Sequence, residues 1–440
     1  MTFWDKDRFI EFLKYDYNNY KYPLVLLAKL IVWVLKLLGK HELAFAIVNG
    51  VFRTGWSGSY IFGLEQARYY FREHSHIGQK VVEQYIQSIQ PLPNTQKFFD
   101  EPLAMLDGVV TVLKDYSDNE KGAIIIKYSY YFPLFIRFFD IKKVSNKFHI
   151  ILEPSWAGYC DLNLLSYVNF DFPIFVQSYE KRDRKFLEDL NSNLKTVDVG
   201  PSWFINHENF TVPNSAITRD IDVIMVAAWA KYKRHKEFFR AIRPLLDNKP
   251  DLNIYLIGYP VDQTKDDILQ IVSSAGFENN VTILEWITPE EVAQYQKRAK
   301  VNVLWSKFEG NNRAIIEGLF SDTPVILRKG HNYGEHYDFI NPQTGTFALE
   351  DNVAEKISEI INCRPSGLSP RSYVLNNRSC FRATDIMGQT ISRWERENAD
   401  NTNWKPSLAI KVNELHGMKY FRPDEVSFGE SYSFLKKHKI

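Results

Sequence analysis

Residues 302–327 read NVLWSKFEGNNRAIIEGLFSDTPVIL, which is the pattern of a strand, a loop, a helix and a second strand. Asn302 to Trp305 is an apolar run of strand length, Arg313 to Phe320 repeats its apolar positions at helical spacing, and Pro324 to Leu327 resumes a strand after the turn Ser321-Asp322-Thr323. The same alternation continues upstream. Ile221 to Ala227, Asn253 to Ile257 and Val281 to Leu284 read as strands, and Glu237 to Leu246, Lys265 to Ala275 and Glu290 to Ala299 as the helices between them. Five strands joined by crossover helices predict a doubly wound parallel sheet, and the short connecting loops fit a compact domain.

The preceding half also reads as α/β. Gly122 to Lys127, Phe148 to Glu153, Phe172 to Gln177 and Thr196 to Val199 are apolar runs separated by helical or loop stretches. Leu43 to Val48, then Asn49-Gly50 and the loop Thr54-Gly55-Trp56-Ser57-Gly58-Ser59, reads as strand, glycine-rich loop and helix, the helix running from Tyr60 to Arg72. Glycines such as Gly55 and Gly58 let a backbone approach a ligand, and the start of a following helix attracts a diphosphate; an ordinary turn is the plain alternative. Ligands gather at the carboxyl ends of parallel strands, which makes Glu153, Trp156 and Ser178 candidates for an acceptor site. The fold class expected is therefore α/β, two doubly wound Rossmann-like domains facing a cleft. Residues 41–199 and 200–375 form the domains, residues 1–40 an N-terminal helical extension, and residues 376–440 a helical segment returning to the first domain.

Composition narrows the function. Of 440 residues 45% are hydrophobic and 24% charged, which excludes disorder and collagen. Lys and Arg number 54 against 53 Asp and Glu, so no whole-chain field favours nucleic acid. Three cysteines are too few and too scattered for a disulfide framework or a thiolate metal site and fit a reducing, cytosolic setting. Leu24 to Leu38 is apolar except for Lys29 and Lys36, opens after Pro23 and closes at Gly39. It is too short to span a bilayer. Two readings stand side by side: a helix lying in a membrane surface with Lys29, Lys36 and Lys40 reaching lipid phosphates, or a helix packed on the first domain. Ala44-Phe45-Ala46 mimics a signal cleavage site, but Asp5, Asp7, Glu11 and Asp16 argue against a secretory signal. His41, His74, His149 and His207 are assigned no catalytic role.

The sharpest constellation lies in the opening stretch, where Glu309 follows a strand and Glu317 sits two turns inside the next helix. Asn311 or Asn312 is a competent N-cap, so backbone N–H groups and the helix dipole point toward a phosphate. A carboxylate on each side of that helix start can accept hydrogen bonds from sugar hydroxyls, and Arg313 adds a cation that makes sense beside a phosphate. Two solvated helix carboxylates are the simpler reading of such spacing.

Glu309 to Glu317, followed by Ser321 to Val325, resembles the signature of the retaining glycosyltransferases of family 4, which have the GT-B fold. Val223 to Ala227 followed by Lys233-Arg234-His235 resembles that family's lysine-containing loop. The resemblance implies that Lys233 neutralises the departing diphosphate, Glu309 contacts donor-sugar hydroxyls and Glu317 the ribose. It also implies that Gly310, Asn311, Asn312, Arg313 and Gly258 line the donor site, with the Thr54 to Ser59 loop reaching the phosphates. Two departures stand out. Ala228 occupies the position of the family's arginine, and Asn311-Asn312-Arg313 replaces its usual run after the first glutamate. The expected partners are a nucleotide sugar and a glycan or lipid-linked acceptor, on a cytoplasmic membrane face, with no cofactor, metal or nucleic acid. The alternatives are a GT-B epimerase or phosphorylase, or a non-catalytic nucleotide-sugar or glycan-binding protein. A terminal helix from Asp385 to Glu395 is expected to cross back to the first domain, with Trp394 and Trp404 near the hinge.

Overall fold

The computed structural model describes residues 21–213, 218–330, 337–398, 403–414, 417–420 and 427–440. Asp5, Asp7, Glu11 and Asp16, and with them the first half of the 1–40 extension, lie outside the described residues. Two compact units make up the chain: one runs to Phe204 and resumes at Cys380, and the other is Ile205–Ser379.

The first unit is built on five strands, β1 (Val110–Lys114), β2 (Gly122–Lys127), β3 (Phe148–Glu153), β4 (Ile174–Gln177) and β5 (Leu194–Val197), which lie side by side in sequence order. β1 is antiparallel to β2, and the other neighbours are parallel. Alternate side chains point to opposite faces. Ile124, Ile126, Ile150, Leu152, Ile174 and Val176 pack into the core formed with the N-terminal helices. Ala123, Ile125, Ile151 and Phe175 face the other way and meet Ala383, Met387 and Ile391 of the helix Cys380–Asn398, together with Trp404. Right-handed crossovers in an order that never reverses place their helices on one face, so the C-terminal segment supplies the cover for the other. Trp394 and Trp404 thus lie on this sheet, edge-on to His149.

One expected strand is a helix. Leu43 to Val48 belongs to the helix His41–Thr54, whose buried residues Ala44, Phe45, Val48 and Phe52 recur at helical spacing. A six-residue apolar run does not distinguish strand from helix, and the decisive period shows only when the run is followed to Phe52. The loop at Thr54 to Ser59 therefore joins two helices, the second being Ser59–Arg68 continued by a π-helical turn Tyr69–Glu73. Before them stands the helix Lys21–Leu37.

The second unit holds six parallel strands, β6 (Ile221–Val226), β7 (Ile254–Gly258), β8 (Val281–Glu285), β9 (Ala299–Leu304), β10 (Val325–Arg328) and β11 (Gly345–Ala348). Their spatial order is β11-β10-β9-β6-β7-β8. The order reverses between β6 and β9, which are paired, so the crossovers wind in both directions and helices cover both faces. Such a reversal leaves a crevice at the carboxyl ends of the two strands concerned.

Candidate functional site

The two residues that follow the strands at the reversal are the ones that meet. After β6 a 3-10 turn, Lys231–Lys233, carries Lys233; after β9 the loop carries Ser306 and Glu309. Lys233 Nζ lies 2.5 Å from Glu309 Oε1, with Lys233 7% and Glu309 6% exposed. The basic loop is therefore not merely solvated. Ser306 Oγ donates to the same oxygen at 2.5 Å, and Asn312 Nδ2 donates to Oε2 at 3.1 Å. Burial alone would raise the Glu309 pKa, but the Lys233 ammonium and these hydrogen bonds hold it below the ordinary value. Burial pulls Lys233 down, and Glu309 more than restores it, so its pKa is raised. Both groups are charged at neutral pH.

Asn312 resolves the choice of cap. Its Oδ1 accepts the Ile315 N–H at 3.2 Å and starts the helix Arg313–Phe320, so one side chain caps the helix and orients Glu309. The positive end of that helix thus lies beside the buried pair. Glu317 lies one turn past Arg313, with Arg313 Nε 3.5 Å from Glu317 Oε1. Burial raises the Glu317 pKa, and Arg313 offsets this only in part. Gly310 and Asn311 lie in the loop between, and the Gly310 carbonyl accepts the Tyr337 hydroxyl.

Three supports were not legible in the motif. Gln296 Nε2 and Asn302 Nδ2, both buried, donate to the Ala314 carbonyl at 3.1 Å and hold the first turn of the helix in place. A Cβ on Gly318 would come within 2.8 Å of both amides, so this helix packs where a side chain has no room. Arg234 adopts a left-handed backbone (φ 63°) directly after Lys233, and its guanidinium joins Arg328 on the Glu350 carboxylate at 2.9 Å each. A non-glycine residue held there stores strain next to a functional group; a basic residue in a tight turn was the only hint. Ala228 precedes Trp229, which is fully buried with its indole N–H donated to Glu285 at 3.0 Å.

Of the other candidates, Gly258 belongs to the second unit and the rest to the first. At Gly258, the last residue of β7, a Cβ would lie 2.2 Å from the Ala227 carbonyl oxygen and 2.9 Å from the Trp229 ring, so only glycine fits. Gly55 and Gly58 both take left-handed φ at the helix-to-helix turn, and Gly58 leaves room for the Tyr22 ring. Glu153 is 1% exposed and ion-paired with Lys411 at 2.7 Å inside the first unit. The Ser178 hydroxyl is buried and donates to the Val197 carbonyl at 3.3 Å. Trp156 remains partly exposed, donates its indole N–H to Asp161 at 3.3 Å and lines a cavity in that unit. The described residues contain no group of three or more His, Cys, Asp or Glu arranged to hold a metal ion.

The helix Lys21–Leu37 packs one face on the first unit, as the second of its two readings expects. Val25, Ala28 and Val32 pack inward, and Lys29 and Lys36 turn toward the protein, Lys29 pairing with Glu65 at 3.1 Å and Lys36 donating to Gln66 at 3.3 Å and lying over the Tyr69 ring. Both lysines thus have partners within the first unit. Leu26, Leu27, Leu30, Trp33, Leu37 and Leu38 are left exposed. No helix among the described residues is long and apolar enough to cross a membrane.

The buried Lys–Glu pair and the helix that bears the second glutamate thus stand at the strand-order reversal, where doubly wound parallel sheets take their ligands. Residues 208–373, which lie within the second unit, match the family model of glycosyl transferases group 1. No curated protein matches the chain. Among solved structures, the chain is similar to a mutant of S. aureus TarM in complex with fondaparinux, alpha-GlcNAc-glycerol and UDP, at 13% identity and a TM-score of 0.46 over 60% of this chain. That alignment covers 55% of the TarM chain. It is similar to sucrose-phosphate synthase from Thermosynechococcus elongatus at 18% identity and a TM-score of 0.48, over 63% of this chain and 74% of that one. The C-terminal domain of LpcC, a glycosyl transferase group 1 family protein from Francisella tularensis, aligns at 18% identity and a TM-score of 0.35, over 40% of this chain and 98% of its own.

Proposed function

We propose that the protein is a retaining glycosyltransferase of the family 4 type, moving a sugar from a nucleotide-sugar donor to a glycan or lipid-linked acceptor. The observation that carries this reading is the Lys233–Glu309 pair, buried at the sheet reversal beside the start of the helix that bears Glu317. In this reading the diphosphate lies against Lys233 and the helix start. As the bond to the anomeric carbon breaks, negative charge grows on the leaving phosphate, and the preorganised ammonium and helix dipole stabilise it. Glu309 keeps acceptor capacity on Oε2 for a donor-sugar hydroxyl, and Glu317 accepts from the ribose hydroxyls. Retention follows from the same resemblance that assigns these roles.

Thermal shift with UDP, GDP, ADP and TDP sugars tests this, because a ligand that binds only the folded state raises its melting temperature. One nucleotide is expected to produce a shift. Glu317→Ala should weaken its binding about tenfold, which corresponds to about 1.4 kcal/mol. Lys233→Ala should cut turnover by about 10²–10³ while weakening binding less. Wild-type turnover in both variants would refute the assignment, and product analysis separates transfer from epimerisation or phosphorolysis.

We further propose that the exposed apolar face of Lys21–Leu37 rests in the surface of a membrane on its cytoplasmic side. Contiguous exposed apolar residues rimmed by polar ones mark interaction surfaces, and the three free thiols suit a reducing compartment. The variant Leu30→Glu/Trp33→Glu is expected to stay in solution when the wild-type chain co-sediments with phosphatidylcholine–phosphatidylglycerol vesicles. Equal sedimentation of the two would show that this helix is not the anchor.

A further inference from the structure

A cavity of about 990 Å³ opens in the first unit between the helix His41–Thr54, the end of the helix Ser75–Ser88 and the loops after β2 and β3. Its residues all belong to the first unit, whereas Lys233 and Glu309 belong to the second. Three observations give it a chemical character. Its wall carries carboxamides and a guanidinium, those of Asn49, Asn163 and Arg53, and the Asn49 Oδ1 is buried with no hydrogen-bond partner among the described residues. Natural interiors seldom leave such an acceptor unpaired, and a ligand hydroxyl would satisfy it. Beside these amides stand two aromatic rings in edge contact, Trp156 and Tyr130, with centroids 4.8 Å apart. Trp156 is fixed by its bond to Asp161, while Tyr130 is 54% exposed. Rings of this kind present an apolar face to the C–H surface of a sugar while amides and carboxylates take its hydroxyls.

The third observation is the rim. Gly39, Lys40 and Leu43 line the cavity, and they follow directly on the helix Lys21–Leu37. Leu37, Leu38 and Leu43 are 68%, 66% and 55% exposed, so the apolar surface of that helix runs to the mouth of a polar, aromatic cavity. A free sugar would use only the cavity, and a plain lipid only the helix. The pair fits an amphiphile.

We propose that this cavity binds a saccharide headgroup carried on an apolar tail, with the headgroup on Asn49, Arg53 and Trp156 and the tail along Leu37, Leu38 and Leu43. The inference rests on the glycosyl-transfer reading for its role, in which the bound headgroup is the acceptor. The location, at the carboxyl ends of β2 and β3, is where parallel sheets take their ligands.

The full chain is titrated calorimetrically with octyl β-glucoside, octyl β-galactoside and octyl α-mannoside, each below its critical micelle concentration, and with the matching free sugars. At least one glycoside is expected to bind ten times or more tighter than its free sugar. Trp156→Leu and Asn49→Leu are expected to weaken it at least tenfold, and the surface variant Leu43→Glu to bring it down to the affinity of the free sugar. Binding of none of the three, or binding indifferent to both Trp156→Leu and Leu43→Glu, would overturn the proposal. Leu43→Glu changes an exposed side chain, so it decides the matter even if a cavity variant fails to fold. The nucleotide-sugar thermal shift reads the second unit. A shift without variant-sensitive glycoside binding refutes the cavity alone, and glycoside binding without any shift refutes glycosyl transfer alone.

Discussion

The Lys233–Glu309 pair and the Arg313–Glu317 pair are both ion pairs, yet their surroundings give them opposite weight. Lys233 and Glu309 are buried, so removing one charge leaves the other uncompensated in a low-dielectric site, which costs about 3–5 kcal/mol. Lys233→Ala is therefore expected to lower stability on that scale, measurable by chemical denaturation. Arg313 is 41% exposed and 3.5 Å from Glu317, so Glu317→Ala should cost less than about 1 kcal/mol of stability and act almost wholly on binding. A third residue in the same turn gives a pH signature. His235 is fully buried, neither ring nitrogen has a partner among the described residues, and burial followed by Lys233 pushes its pKa from 6.5 to about 3. The folded value lies below the unfolded one, so the stability is present above pH 6.5 and is lost as pH falls toward the folded value. Between pH 6.5 and 4 the wild type should lose up to about 1.4 kcal/mol per pH unit relative to His235→Phe. Parallel pH profiles for the two proteins would show that His235 is not the titrating group.

At the scale of elements, the strands and helices of the second unit stand close to where the alternation of apolar runs places them, the helix Arg313–Phe320 on its expected residues. This unit is regular because each element carries its own signal. The capping boxes Thr264 with Asp267 and Thr288 with Glu291 start two of its helices, and apolar runs fill its inner strands. β11 carries no comparable signal, being four residues at the sheet edge that begin at Gly345, whose Cβ would strike the Val325 backbone. β1, with the run Val109 to Leu113, carried a strand signal of β-branched residues. Close packing also sets the role of Gly258. Gly258→Ala should destabilise the second unit by about 1–3 kcal/mol, because the new methyl meets a backbone carbonyl and a fully buried indole that cannot retreat. A melting temperature equal to wild type would show that the Trp229 packing yields more readily than this.

For the whole molecule, the first sheet depends on residues more than two hundred positions away. Ile125, Ile151 and Phe175 are covered by the helix Cys380–Asn398 and Trp404, whose indole N–H is donated to the Lys121 carbonyl at 2.9 Å. The buried His149–Glu395 contact at 3.0 Å adds a polar tie across the same layer. Truncation after Ser379 should therefore uncover that face, giving strong binding of a hydrophobic dye and loss of cooperative melting of the first unit. A truncated chain that melts cooperatively without binding dye would mean that the face is closed in another way.

The order of apolar runs by itself determined the α/β class, the parallel sheet of the second unit and the placing of Glu309 and Glu317 around one helix start, because each rests on periodicity and spacing within one segment; Lys233 stood out only through the family resemblance. What lies in contact across 76 positions was decided by the tertiary structure alone, through the pairing of β6 with β9 that brings Lys233 to Glu309. The same holds for the inward turn of Lys29 and Lys36, the burial of Glu153 against Lys411, and the helix at Leu43 to Val48. In each, an apolar or charged side chain has several acceptable environments locally, and the free energy that chooses among them comes from partners distant in the chain.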